Sequence, residues 1–157
     1  MDVYLLRHGE ARSEQEDPAR PLNAAGQAAV ERVARRFAAL EPRLNSISHS
    51  GVLRARQTAE ILAAHVREAP PPQERDGLRP LDAVGPVADW LLAHARDDGA
   101  LALVGHLPFL ERLVARLVTG DESRQVLSLP AAGLVKLVPV EDGDGFTIAW
   151  ELPPELA

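Results

Sequence analysis

Hydrophobic and polar positions along the chain fall into short blocks that predict strands and helices in turn. Apolar runs of strand length lie directly before Arg7 and at 100–104, and the second is the more uniformly apolar. The short segment 45–49 is predicted to be a brief further strand. Apolar residues recur at helical spacing in four further segments, at about 24–40, 52–66, 86–96 and 107–118. Because strands and helices alternate, we expect an α/β domain with a mostly parallel sheet.

The last part of the chain departs from this alternation. Two segments of strand character, 133–140 and 146–152, flank the turn-forming run 141–145, which predicts an antiparallel hairpin. Residues 73–83 have no clear period, so we expect a surface loop there with at most a short strand. The tail from Pro153 is expected to be frayed.

Composition narrows the possible functions. The chain has 157 residues, and we expect one domain over 1–157 with a sizeable core. A formal net charge of −6 argues against general binding to nucleic acids or anionic membranes. The absence of cysteine excludes disulfides and thiol catalysis. No apolar run approaches the roughly 18 residues of a membrane span, and the first residues enter a strand without a signal-like segment, so we expect a cytoplasmic protein.

Polar side chains follow three of the predicted strands at the point where each strand ends. Arg7 and His8 follow the first, Ser50 and Arg54 follow the second, and His106 follows the third. Because the carboxyl ends of parallel strands open on one edge of a sheet, we expect these groups to converge. Arginine offers a rigid fork of donors to a phosphate, and histidine can act as a nucleophile or proton carrier. The pattern predicts an anion pocket, to which the following helix N-termini add partial positive charge.

Three motifs, in this order and spacing, resemble those of the histidine phosphatase superfamily, in its phosphoglycerate-mutase-like branch 1. They are Arg7-His8-Gly9-Glu10, Ser50-Gly51-Val52-Leu53-Arg54-Ala55-Arg56-Gln57-Thr58-Ala59 and Gly105-His106. Two further runs, Arg20-Pro21-Leu22 and His106-Leu107-Pro108, are similar to those of the short phosphohistidine phosphatases named for SixA. The resemblance covers almost the whole chain. It implies a three-layer α/β/α sandwich of the phosphoglycerate-mutase type, with a C-terminal antiparallel strand and no inserted helical lid.

The resemblance also implies catalytic roles for four residues. His8 would attack phosphorus and carry the phosphoryl group as a covalent intermediate. Arg7, Arg54 and His106 would hold the equatorial oxygens, where charge lies in the transition state. Because these arginines and histidines supply the positive charge, we expect no metal ion and no other cofactor.

Secondary roles fall to residues near these four. The further candidates are Arg20, Ser50 and Gly9 for substrate binding, and Glu10 and Asp82 as an acid or orienting group. Pro21 biases Arg20 toward an extended backbone. Gly9 permits close approach of the backbone to a ligand, or a positive φ. Glu10 or Ser50 would orient His8 or its neighbours.

One departure from the family pattern concerns the general acid. Many members have a glutamate in the middle segment that protonates the leaving alkoxide. Pro80 falls at that place here, Asp82 lies two residues on, and Glu74 and Asp76 precede it. A phosphate ester needs the proton, whereas the imidazole of a phosphohistidine can leave already protonated, with a free pKa of roughly 6.5. We therefore expect a phosphoramidate substrate rather than an ester.

The leading hypothesis is a metal-independent phosphatase that acts on phosphohistidine in a phosphorelay or phosphocarrier protein. A cleft without a lid suits a side chain displayed on another protein. One alternative is a phosphomonoesterase for a small metabolite or sugar phosphate, with Asp82 or Glu74 as the acid. Another is a non-catalytic module that binds phosphate or phosphoproteins. A mutase is disfavoured because it needs a closed site. We expect no nucleic-acid or membrane partner, and a monomer or weak dimer.

Overall fold

A six-stranded sheet forms the centre of the computed structural model, which describes all residues from 1 to 157. Its strands are β1 (Asp2–Arg7), β2 (Ser46–His49), β3 (Gln73–Glu74), β4 (Ala100–Gly105), β5 (Leu134–Pro139) and β6 (Phe146–Leu152). They lie side by side in the order β3-β2-β4-β1-β5-β6. The first four strands pair in parallel, whereas β5 is antiparallel to both β1 and β6. The predicted mostly parallel sheet with a C-terminal antiparallel strand is confirmed.

Helices cover both faces of this sheet. They are α1 (Ala24–Ala38), α2 (Leu53–His65), α3 (Gly85–Ala93) and α4 (Phe109–Thr119). Along β1 the side chains alternate, so that Val3 and Leu5 pack with α3 and α4 while Tyr4 and Leu6 pack with α1 and α2. The three-layer α/β/α arrangement follows directly from this alternation. None of the helices combines the length and apolar character that crossing a bilayer requires.

Of two further predictions, the one for the middle segment agrees with the structure and the one for the tail is wrong. The segment 73–83 contributes the two-residue edge strand β3, where Ser48 and His49 of β2 pair with Gln73 and Glu74. The tail from Pro153 is not frayed, because Pro154–Leu156 forms a 3-10 turn near α1. The terminal Ala157 packs against the apolar cluster beneath α1 and α2, and this contact holds the tail in place.

Two glycines bring the segment after β1 against the start of α1. A Cβ added to Gly26 would lie 2.0 Å from the carbonyl oxygen of Glu10, and one added to Gly9 would lie 2.7 Å from Cγ2 of Val30. Asn23 caps the helix by accepting a hydrogen bond from the Gly26 N–H at 2.7 Å. Although glycine weakens a helix, Gly26 is needed here for close packing. The same packing fixes the backbone that follows His8.

Candidate active site

The carboxyl ends of β1, β2 and β4 bring the predicted side chains to one edge of the sheet. His8 follows β1, and its backbone N–H donates to the carbonyl of Gly105, at the end of the neighbouring β4. The His8 and His106 rings stand with their centroids 5.0 Å apart. Arg54, in the first turn of α2, donates from Nε to Nε2 of His8 at 3.3 Å. The fold thus brings two imidazoles and a guanidinium into one pocket.

The His8 ring is held by the backbone of its own neighbour. Its Nδ1–H donates to the carbonyl of Gly9 at 2.6 Å, which leaves a lone pair on Nε2 directed toward Arg54. The Gly9 N–H in turn donates to Oγ1 of Thr58 at 3.2 Å, and that hydroxyl donates to the Arg54 carbonyl at 2.8 Å. Thr58 is fully buried and joins the backbone beside the nucleophile to the helix that carries Arg54.

Gly9 and Glu10 have different functions from those expected. The φ of Gly9 is not positive, and its close contacts are with α1 rather than with open space. Because its N–H and carbonyl are both engaged within the chain, Gly9 positions His8 and is not free to bind substrate. Glu10 accepts a hydrogen bond from the Asn23 side chain at 2.9 Å and makes none to His8. The Gly9 carbonyl, not the Glu10 carboxylate, orients the His8 ring.

The His106 ring is held by a side chain instead. Its Nε2 lies 2.6 Å from Oγ of Ser50, and both residues are almost fully buried. The Ser50 hydroxyl also accepts the Val52 N–H at 3.3 Å, at the start of α2. The other ring nitrogen, Nδ1 of His106, is buried and has no partner within the protein. Ser50 therefore contacts the neighbour of His8 rather than His8 itself.

Arg7, the last residue of β1, lies close enough to both imidazoles for its charge to lower their pKa values. It donates to the Leu129 carbonyl at 2.9 Å, and its Nε is buried without a partner. It lines a cleft of about 540 Å³ that neither imidazole touches. The carboxylates of Glu111, Glu151 and Glu155 also line this cleft, so it is less suited to an anion than the pocket beside His8.

Arg20 lies in the loop between β1 and α1 and is half-buried. Its φ of 49° is left-handed, so the expected extended backbone is wrong. The cause is local, since the Arg20 N–H donates to the Asp17 carbonyl at 2.9 Å and closes a turn before Pro21. Its charge nevertheless reaches His8 and Arg54, because it lowers the pKa of both.

The carboxylates of the middle segment make no hydrogen bond to the catalytic candidates. Asp82 accepts a hydrogen bond from the Arg79 N–H at 2.8 Å and closes a turn. The carboxylate of Glu74 lies against Gly51, where an added Cβ would lie 2.2 Å from its Oε1. Pro80, at the place of the family's acid, has no group to titrate. The structure therefore joins no acidic group to the pocket by a hydrogen bond.

Burial and positive neighbours keep both imidazoles neutral. Burial lowers the pKa of His8 to about 4, with Arg54, Arg7 and Arg20 adding to the effect against the Gly9 hydrogen bond. Burial likewise lowers the pKa of His106 to about 3, helped by His8, Arg54 and Arg7. Every charged group that perturbs these two pKa values is a cation. At neutral pH Nε2 of His8 is therefore unprotonated, as attack on phosphorus requires.

The Arg54 guanidinium and the His106 ring thus lie beside Nε2 of His8. No three His, Asp or Glu side chains stand close enough together to hold a metal ion. The groups present match an anion with several oxygens, since guanidinium forks and imidazole N–H groups are donors. This arrangement is suited to transfer of a phosphoryl group to His8.

Comparisons with known proteins agree on the family. The family model described as histidine phosphatase superfamily, branch 1, matches residues 3–85. An uncharacterized protein of Picosynechococcus sp. (strain ATCC 27264 / PCC 7002 / PR-6) is 38% identical over 141 residues, which span 87% of this chain and 84% of that protein.

Solved structures extend the likeness to almost the full length. The protein histidine phosphatase SixA complexed with tungstate has a TM-score of 0.85 at 24% identity, covering 98% of this chain and 97% of that one. A SixA-type protein from Agrobacterium tumefaciens, provisionally assigned as a phosphohistidine phosphatase, has a TM-score of 0.77 at 25% identity with the same coverage. A phosphoserine phosphatase from Entamoeba histolytica has a TM-score of 0.74 at 14% identity, covering 99% of each chain. The chain therefore belongs to branch 1 of the histidine phosphatase superfamily, with a SixA-like fold.

Proposed function

We propose that this protein is a phosphatase that forms a covalent intermediate on Nε2 of His8 and acts on phosphohistidine displayed by another protein. The orientation of His8 carries the proposal. Its Nδ1–H is bound to the Gly9 carbonyl, its Nε2 accepts a hydrogen bond from Arg54, and its pKa of about 4 keeps Nε2 unprotonated at neutral pH.

The reaction has two displacements at phosphorus. Nε2 of His8 forms a bond to phosphorus as the bond from phosphorus to the substrate nitrogen breaks, and the substrate nitrogen keeps the electron pair of that bond. The other ring nitrogen of the substrate already carries a proton taken from solvent, so the group leaves as a neutral imidazole. Water then attacks the phosphorylated His8, releases inorganic phosphate and restores the free imidazole. Arg54, Arg7 and His106 offer N–H donors to the phosphoryl oxygens, and the charge of Arg20 adds to theirs. These side chains supply positive charge without a resident metal ion or cofactor.

The choice of a phosphoramidate over an ester rests on the missing acid. An alkoxide is a poor leaving group without a proton, while imidazole accepts one near neutral pH. Pro80 holds the family's acid position, Asp82 is engaged in a turn, and only cations perturb the two imidazoles. The names of the SixA relatives agree with this substrate class. A phosphomonoesterase receives support only from the fold shared with a phosphoserine phosphatase.

A substrate comparison tests this proposal. The purified protein is given a histidine-phosphorylated protein and, separately, para-nitrophenyl phosphate and phosphoserine, with and without EDTA. We expect the phosphohistidine to be hydrolysed with a kcat/KM at least about 100-fold above either ester, a difference of roughly 2.7 kcal/mol in barrier. EDTA should have no effect. A preference for the esters would contradict the proposed substrate. Binding of vanadate without hydrolysis of any substrate would instead indicate a non-catalytic phosphate-binding module.

A further inference from the structure

We infer that Ser50 is a positioning residue that fixes the tautomer of His106, so that the proton lies on Nδ1 and faces the phosphoryl group. The catalytic consequence of this inference rests on the proposed function. The tautomer itself is a property of the free protein. The inference concerns a contact between two buried side chains on neighbouring strand ends, those of β2 and β4.

The hydrogen bonds of Ser50 determine which atom donates. Its Oγ already accepts the Val52 N–H, and its one other partner is Nε2 of His106. If Nε2 carried the proton, Oγ would accept twice, and the hydroxyl hydrogen would have no acceptor at a position only 2% exposed. A buried donor without a partner costs about 1–3 kcal/mol, so this arrangement is disfavoured. When Ser50 donates to Nε2, its hydroxyl hydrogen has an acceptor and one of its lone pairs accepts the Val52 N–H.

The remaining proton of His106 then lies on Nδ1. That atom is buried and has no partner within the protein, and such groups are rare unless a ligand or water satisfies them. The low pKa of His106 makes the tautomer decisive, because a neutral imidazole has one N–H whereas an imidazolium has two. A neutral ring in the opposite tautomer would turn a lone pair, not a donor, toward the pocket. Ser50 thereby prepares a donor for a phosphoryl oxygen.

Nitrogen NMR of the histidine rings tests the tautomer directly. In 15N-labelled protein at pH 7, long-range proton–nitrogen spectra should show His106 protonated on Nδ1, with Nε2 as the bare nitrogen. In Ser50→Ala this preference should be lost. Ser48→Ala removes a hydroxyl from β2, two residues before Ser50, that makes no hydrogen bond to His106, and should leave the spectrum unchanged. A parent protein with the proton on Nε2, or an unchanged tautomer in Ser50→Ala, would overturn the inference. The parent measurement needs no variant, so it decides the question even if Ser50→Ala does not fold.

Anion binding at two pH values separates positioning from packing. Sulfate keeps its charge between pH 5 and pH 8, so it reports the pocket alone. We expect Ser50→Ala to bind sulfate about 10-fold more weakly than the parent at pH 8. Toward pH 5 the difference in sulfate affinity between Ser50→Ala and the parent should shrink. The bound dianion raises the pKa of His106, and the imidazolium that forms has an Nδ1 proton with or without Ser50. The titratable and charged groups facing His106, namely the neutral His8 ring and the cations Arg54 and Arg7, are common to both proteins. A ratio that stays constant with pH would indicate lost packing and overturn the positioning role.

Failure of this inference is distinguishable from failure of the proposed function. If His106 is protonated on Nδ1 but phosphohistidine is not hydrolysed, only the proposed function fails. If phosphohistidine is hydrolysed while His106 is protonated on Nε2, only the role of Ser50 fails.

Discussion

The two histidines of the pocket are oriented by different means. His8 is held by a backbone carbonyl that belongs to the next residue, Gly9, whereas His106 is held by the side chain of Ser50, 56 positions away. A backbone acceptor cannot be removed by substitution, but a hydroxyl can. The comparison shows that the proposed nucleophile depends on the local path of the chain, while its neighbour depends on the packing of β2 beside β4.

The largest effect should separate the proposed nucleophile from its neighbour. His8→Ala removes the atom that receives the phosphoryl group, so turnover should fall to background. His106→Ala removes one donor to the phosphoryl oxygens and should lower kcat by about 10²–10³-fold. Steady-state kinetics on a histidine-phosphorylated protein measure both, and thermal melts show whether each variant is folded. Equal residual activity in the two variants would contradict the assignment of different roles.

A smaller effect is expected at Arg54, which contacts His8 directly. Arg54→Lys keeps the charge but loses the fork of donors and the 3.3 Å contact with Nε2. We expect kcat to fall by about 10–100-fold, and Arg54→Ala to fall further. Arg56→Lys, at an exposed position on the same helix, is the matched control and should behave as the parent. Full activity in Arg54→Lys would show that a positive charge at position 54 is enough for turnover and that the fork of donors is not needed.

The backbone that holds His8 can be tested through Thr58. Thr58→Val keeps the shape but leaves the buried Gly9 N–H without its acceptor. We expect a loss of about 1–3 kcal/mol in the free energy of unfolding, or about 2–10 °C in melting temperature for a chain of this size. Thr58→Ser retains the hydroxyl and should lose less. Equal melting temperatures for Thr58→Val and the parent would remove Thr58 from the support of His8.

The last expected effect is on stability as pH changes, and both imidazoles contribute to it. Both imidazoles have a lower pKa in the folded protein than the usual 6.5, so the unfolded chain binds more protons below that value. Their contribution to stability is fully present above about pH 6.5 and declines as pH falls, to about 4 for His8 and about 3 for His106. Urea unfolding between pH 7.5 and pH 4.5 should show this decline in the free energy of unfolding. The decline should be smaller in His106→Gln than in the parent. The same slope in His106→Gln and the parent would contradict a depressed pKa at His106.

Much of the fold was predictable because strand ends and helix periodicity are local signals. The uniformly apolar run before His106 and the basic pair at the end of β1 predict both imidazoles at one edge of the sheet. The two-residue β3 was not predictable as a firm strand, since Gln73 and Glu74 are exposed and carry no alternating pattern. The packed tail was missed because its contact with α1 is distant in sequence.

Within the site, residue types were more predictable than the contacts they make. Gly9 was expected to approach a ligand, but it approaches Gly26, which lies in another element. Ser50 was expected near His8 or its neighbours, yet only the register between β2 and β4 determines that it meets His106. Thr58 belongs to the second sequence motif, but no role was predicted for it, because its hydrogen bond with the Gly9 N–H depends on how α2 packs. Such contacts depend on how distant elements pack together. The place where a strand ends and the chain turns is instead indicated by the local sequence.

The most direct test of the account is to trap the phosphorylated protein and locate the phosphate. The protein is mixed with a histidine-phosphorylated substrate, quenched within the first turnover under alkaline conditions that preserve phosphoramidates, and analysed by peptide mass spectrometry. The account predicts a phosphoryl group on His8, and none in His8→Ala treated in the same way. A phosphoryl group on any other residue, or turnover by His8→Ala at the rate of the parent, would contradict it.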